Sequence, residues 1–356
     1  MTTNLKTLQL TLLTLLITSF SFSQGVFTKI DSLIKNVHDK NPTISFSVGF
    51  IKNDKEFYAT YGNLDRENNI KVDRNSLFEI ASITKILTSN LIAQAALDNK
   101  LKLDDYIDNY LPKQYQLQKG LQNKVRISDL ASHQSGLPDI DFRALIMANS
   151  QQPTDAVNQQ MLSKLINNCK ELIDFGNYKY STISYVLLGQ ILETVYHKTY
   201  PKILDEKLIT PLKLTRTFST NFNVDNKVQG YNSEGGKQEL FNWGNTGPAG
   251  LVKSNALDMI RYLKAVLNKN NTLGKAALLC EKVQYNKNER QLGLGLNILK
   301  ERKNTVFLKT GDLLGQSSIM AYDREHKWGI IILLNQRNHK LRQELFKILF
   351  EIIKTK

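Results

Sequence analysis

The feature that most constrains this fold is a segregation of periodicities: strand-like alternation at both ends of the chain and helix-like spacing between them. Near the start, Val26, Ile30, Leu33, Ile34 and Val37 fall on one helical face, and Pro42 ends that helix. Ile44, Phe46, Val48 and Phe50 then alternate as a half-buried strand. Asn53-Asp54-Lys55 reads as a turn, and Glu56 to Tyr61 as a returning strand. At the far end, Leu292 to Leu296, Thr305 to Lys309, Ser317 to Tyr322 and Trp328 to Leu334 read as strands. The run from Gly329 to Leu334 is apolar on both faces, which suits a central strand. Leu341, Leu345, Ile348, Leu349 and Ile352 line one face of a closing helix. Between the ends, helical patterns cover roughly 84–99, 126–133, 155–169, 180–197, 202–209 and 255–268. The expectation is an α+β protein. One antiparallel sheet is built from both chain ends and flanked by terminal helices, and a mainly helical lobe is inserted over roughly 84–270. A cleft between the lobes is the natural substrate site.

Residues 1–23 stand apart from this pattern. Lys6 precedes a Leu- and Thr-rich stretch from Leu8 to Ile17, followed by small residues at Ser21 and Ser23. This predicts a signal peptide cleaved near Gln24, a domain over 24–356, and a secreted protein, periplasmic or extracellular. The Thr-interrupted stretch is short for a membrane anchor, and no stable span is expected after cleavage. The chain has 356 residues and a formal charge of +14, of which Lys6 is the only charge in 1–23. The lysines are scattered, without the basic and aromatic stripe of a nucleic-acid groove, so no nucleic-acid partner is expected. Cys169 and Cys280 are the only cysteines; they lack metal-like spacing and read as unpaired structural residues.

Three short motifs carry chemistry. Ser82-Ile-Thr-Lys85 precedes a long apolar helix, and Lys85 at i+3 shares the face of Ser82. Phe78-Glu-Ile-Ala81 before it and the apolar run after it bury the lysine; desolvation lowers its pKa and makes it a base for Ser82. The same S-x-x-K spacing recurs at Ser32 to Lys35, but there both residues lie on a polar face. Tyr180-Ser181-Thr182 opens the helix Ile183 to Val195, where a tyrosine beside a cation can relay a proton. Lys309-Thr310-Gly311 ends a strand, where Lys309 and Thr310 can hold a carboxylate and the glycine admits a substrate backbone.

In this order the motifs resemble those of the serine β-lactamase and penicillin-binding protein superfamily, most closely its class C branch. Further similarity lies in Arg126 to Pro138, Pro211-Leu212, Pro248-Ala-Gly-Leu251 with Asp258-Met259, Leu292-Gly-Leu-Gly295, and Lys309 to Asn335. The resemblance implies a β-lactamase/transpeptidase-like fold, no cofactor and no metal. It implies Ser82 as nucleophile, with Lys85 and Tyr180 sharing acid/base work. Thr182, Lys309, Thr310 and Gly311 would bind substrate, and the backbone N–H groups of Ser82 and Asp312 would form the oxyanion hole. The implied substrates are β-lactams or D-Ala-D-Ala peptides, with small esters or amides as the alternative, or slow acylation by a penicillin-binding sensor.

Three positions depart from the family pattern. Thr182 stands where Asn is usual, Ile140 where β-lactamases carry Gln, and Asp312 where a small residue follows the triplet. Other hydrolase classes lack support: there is no G-x-S-x-G, no H-E-x-x-H, and His133 reads as structural.

Overall fold

The computed structural model describes residues 25–301 and 303–354; the predicted signal peptide lies outside them. Helix α1 covers 25–40 and buries Val26, Ile30, Ile34 and Val37. Strands β1 (Phe46–Lys52) and β2 (Lys55–Tyr61) form a hairpin. Its two-residue turn places Asn53 and Asp54 at φ +48° and +65°, as a type I′ hairpin demands.

The inserted lobe is helical. It contains α2 (Thr84–Leu97), α3 (Ile127–Ala131), α4 (Phe142–Ala148), α5 (Gln159–Asn167), α6 (Ile183–Tyr196), α7 (Tyr200–Leu204), α8 (Ala256–Leu267) and α9 (Thr272–Cys280). Two-residue strands pair within it: β3 (Phe78–Glu79) with β6 (Lys253–Ser254), and β4 (Gly230–Tyr231) with β5 (Lys237–Gln238). The chain then returns through β7 (Tyr285–Lys287), β8 (Arg290–Leu292), β9 (Asn297–Glu301), β10 (Asn304–Asp312), β11 (Ser317–Asp323) and β12 (Trp328–Leu334), and closes with α10 (His339–Lys354).

Among the described residues these strands form one eight-stranded antiparallel sheet in the order β2-β1-β12-β11-β10-β9-β8-β7. Strand β12 sits between β1 and β11, which explains its apolar residues on both faces. Ile330, Ile332 and Leu334 pack with α1 and α10, while Ile331 and Leu333 face the helical lobe. No described helix is long and apolar enough to cross a membrane.

Two expectations are corrected. The stretch from Leu292 to Leu296 is not a strand. Only Leu292 belongs to β8, and the rest is a turn bonded to the helical lobe: Leu294 N–H donates to Cys280 O and Gly295 N–H to Ala131 O. Strand β10 does not stop at Lys309 but continues through Asp312. Its pairing with β9 ends at Leu308, whereas its pairing with β11 reaches Asp312. The Lys309–Asp312 segment therefore has one open edge inside the sheet.

Helix α10 seals the outer face of the sheet through Leu341, Leu345, Ile348 and Leu349. Leu345→Ala should cost about 3 kcal/mol by leaving a cavity, read as a lower urea midpoint with an unchanged slope.

Candidate functional site

Ser82 is carried on a single 3-10 turn, Ala81–Ile83, that leads directly into α2. Ala81 adopts left-handed backbone (φ +49°), an arrangement that costs a non-glycine residue about 1 kcal/mol. The turn is held from both sides. Strand β3 below it is fixed by a buried ion pair between Glu79 and Lys253 at 3.3 Å, and Glu79 also accepts the Phe241 N–H. Strand β10 lies directly against it: a Cβ at Gly311 would overlap the Ile80 carbonyl oxygen and crowd Ser318 Oγ and Ala81. The glycine is therefore required for contact with the Ser82 turn, a role additional to the expected one of admitting a substrate backbone. The open edge of β10 is still available for substrate.

Lys85 is 1% exposed. Its Nζ donates to Ser82 Oγ at 3.2 Å and to Ala249 O at 2.7 Å. Burial pulls its pKa down to about 7, opposed by the charge of Asp139. The Ala249 carbonyl is positioned by a loop that also offers Pro248 O to Thr88 Oγ1. That loop packs on α6, where a Cβ at Gly189 would overlap the Pro248 ring.

Tyr180 approaches from the start of α6. Its Oη is 2.8 Å from Ser82 Oγ, and its ring lies 5.1 Å from Lys85 Nζ and 4.9 Å from Lys309 Nζ. His133 backs the ring at 4.6 Å and accepts the Ser181 N–H at Nδ1, which leaves the ring proton on Nε2. Burial and the nearby Lys309 and Lys85 hold His133 well below the ordinary imidazole range, so it is neutral.

Lys309 is buried, with its Nζ over the face of the Tyr180 ring. Burial lowers its pKa to about 8, with the Tyr180 ring opposing and Lys85 reinforcing the shift. Lys309 and Thr310 line a cleft of about 460 Å³ together with Ser82, Tyr180 and Asp312. The structure thus brings Ser82, Lys85, Tyr180, Lys309 and Thr310 together. Thr182 lies just outside the cleft: it is buried at the start of α6 with its N–H bound to Asp139. Ile140 is buried in the core. The second S-x-x-K stays on the solvent side of α1, where Lys35 pairs with Asp39.

Asp139 and Arg342 were not anticipated. Asp139 follows the Gly136-Leu-Pro138 loop and accepts the N–H groups of both Thr182 and Ile183, capping the helix that carries Tyr180. Arg342 of α10 lines the cleft and pairs with Asp312. The signal for Asp139 was a carboxylate one residue past a recognised motif. For Arg342 the only signal was a polar position on an amphipathic helix.

A sheet of this topology beside a helical lobe, with Ser, Lys and Tyr meeting at the seam, is the α+β fold of the serine β-lactamases and transpeptidases. The chain belongs to the Beta-lactamase family, whose model matches residues 30–352. It is 26% identical over 248 residues to Protein flp of Staphylococcus aureus, covering 67% of this chain and 49% of that protein. Beta-lactamase-like protein 2 of Dictyostelium discoideum is 26% identical over 334 residues, covering 86% of this chain and 59% of that one. The chain thus spans about half the length of the first of these curated relatives. A class C beta-lactamase solved in complex with cefoxitin superposes with a TM-score of 0.81 at 21% identity, covering 92% of this chain and 99% of that one. A Beta-Lactamase/D-Alanine Carboxypeptidase from Pseudomonas syringae gives 0.79 at 20% identity, covering 91% and 98%. These structures share the fold.

Asp139→Asn should keep the helix cap and remove the charge that raises the Lys85 pKa. Any activity that needs neutral Lys85 should then rise at lower pH than in the parent, seen in a pH–rate profile. Asp139→Ala should in addition cost about 1 kcal/mol of stability in a denaturant titration. Gly311→Ala should push β10 off the Ser82 turn and slow any reaction that depends on Ser82 about a hundredfold while the melting curve stays cooperative.

Proposed function

We propose that the protein is an exported serine hydrolase that forms an acyl-enzyme on Ser82, with β-lactams or peptides ending in D-Ala-D-Ala as substrates. The observation that carries this reading is a single oxygen, Ser82 Oγ, held between a buried lysine amine at 3.2 Å and a phenol at 2.8 Å. The export part rests on the sequence of residues 1–23.

In this reading neutral Lys85 takes the Ser82 proton as Oγ attacks the substrate carbonyl carbon. Negative charge collects on the carbonyl oxygen, facing the backbone N–H groups of Ser82 and Asp312; such a donor typically contributes about 3 kcal/mol. The tetrahedral adduct collapses, the carbonyl–heteroatom bond breaks, and Tyr180 gives its proton to the leaving atom. The Lys85 ammonium then restores the Tyr180 proton. Water attacks the ester in the second half, its proton is taken by the same pair, and Ser82 Oγ is reprotonated as the acid leaves. Lys309 and Thr310 hold a substrate carboxylate beside the open edge of β10, where an extended peptide adds as a strand.

A second reading, hydrolysis of small esters or amides on the same Ser82, is favoured by the Asp312 carboxylate in the cleft wall. A third, a binding protein that acylates slowly, draws its support from Thr182 in place of Asn.

Time-resolved intact mass with a penicillin, beside Ser82→Ala, tests the proposal. A covalent adduct on the parent that is absent from the variant is expected. Undiminished turnover by Ser82→Ala would overturn the mechanism. For a carboxylate-bearing substrate the rate should rise through pH about 7 as Lys85 loses its proton. It should fall above about 8 as Lys309 loses its charge. A neutral substrate should show the rise alone.

A further inference from the structure

The wall of the cleft opposite the helical lobe is made by α10. Leu341, Leu345 and Leu349 point into the sheet. Arg342 and Phe346, four apart on the neighbouring face, line the cleft beside Ser82. Arg342 Nη1 is bound to Asp312 Oδ2, and Asp312 Oδ1 accepts a hydrogen bond from Ser317 Oγ at 3.1 Å. The Asp312 carboxylate is thus held on both oxygens at the end of β10, within the cleft, and only partly exposed (29% against 22% for Arg342).

The cations lining this space, Lys309 and Arg342, and Lys85 behind Ser82 are unequal. Lys85 and Lys309 are buried amines whose charge is weakened by desolvation. A guanidinium is a fixed charge with a fork that matches a carboxylate. Arg342 is therefore the strongest anchor for an anionic substrate group, and it is already occupied by a carboxylate of the same chain. A free carboxylate entering the cleft meets a filled fork and an anionic wall.

We propose that Asp312 is a specificity-determining residue, a tethered competitor that keeps Arg342 from a substrate carboxylate, leaves Lys309 and Thr310 as its anchors, and so narrows the cleft's preference for carboxylate-bearing substrates over neutral esters and amides. This rests on the reading of Ser82 as the acylated residue. The tether makes the competition unavoidable: Asp312 is covalently fixed to β10 and remains bound unless a substrate displaces it. Phe346 gives the same wall an apolar surface suited to an uncharged acyl or leaving group.

The test compares kcat/KM for a neutral aryl ester with that for the same ester carrying a meta-carboxylate on its leaving group. Asp312→Asn should raise the ratio in favour of the carboxylate ester by about fivefold, the scale of a partly exposed ion pair. Arg342→Ala should lower the ratio, because it frees the Asp312 charge. Asp312→Asn placed on Arg342→Ala should recover less than it gains with Arg342 present. An unchanged ratio in Asp312→Asn, or an equal gain with and without Arg342, overturns the proposal; the second result would assign the effect to plain repulsion. Turnover of both esters by Ser82→Ala would instead defeat the underlying reading and leave the two failures distinct. If neither ester turns over, calorimetry of meta-hydroxybenzoate on Ser82→Ala, with and without Asp312→Asn, reads the same competition. Tighter binding with Asp312→Asn supports it, and equal binding overturns it.

Discussion

An amine kept out of water is the constraint around which this molecule is organised. Desolvating an ammonium ion costs several kcal/mol, and among the described residues Lys85 donates hydrogen bonds to Ala249 O and Ser82 Oγ alone. The site tolerates it by making the neutral form accessible. That requires an apolar enclosure, and α2 supplies one: every residue from Thr84 to Ala95 is buried. The requirement then spreads outward. The loop that presents Ala249 must lie against α6, and α6 must start beside Ser82 so that Tyr180 completes the enclosure. Asp139 caps α6 and places a negative charge close enough to raise the Lys85 pKa against the pull of desolvation.

The two lobes contribute different things. The helical lobe provides burial, and with it a shifted proton affinity. The sheet provides a straight, open edge and a rigid wall. They meet where β10 touches the Ser82 turn at Gly311, and where the Glu79–Lys253 pair fixes β3 beneath it. A buried ion pair is weak evidence for stability, but removing one partner leaves the other charge stranded, so the pair fixes the position of the turn.

Much of this was legible in the sequence because it depends on local periodicity. The helix 25–40, the Asn53–Asp54 hairpin and the doubly buried β12 each follow from spacing that the structure leaves intact. Lys85 was identified because an S-x-x-K among apolar residues differs from one on a polar helix face. What escaped had no periodic signature. Helix α4 buries no residue, and α9 carries Gly274 and small side chains where an apolar stripe would be sought. The Leu292–Leu296 turn alternates like a strand but has its N–H groups claimed by the helical lobe. Asp139 and Arg342 act through partners distant in sequence, Thr182 and Asp312, and such pairings become visible only once the chain is folded.

The pairing of β1 with β12 has a consequence for how the molecule comes into being. Phe46 lies beside Leu334, so β1 finds its neighbour only after the helical lobe and β7 to β11 have been made. Contacts between such distant segments form slowly. A chain still being synthesised presents Ser82 and Lys85 before β10 and α10 have been made to wall them in. A chain cut ahead of β10 would therefore carry the serine and the lysine without the cleft around them.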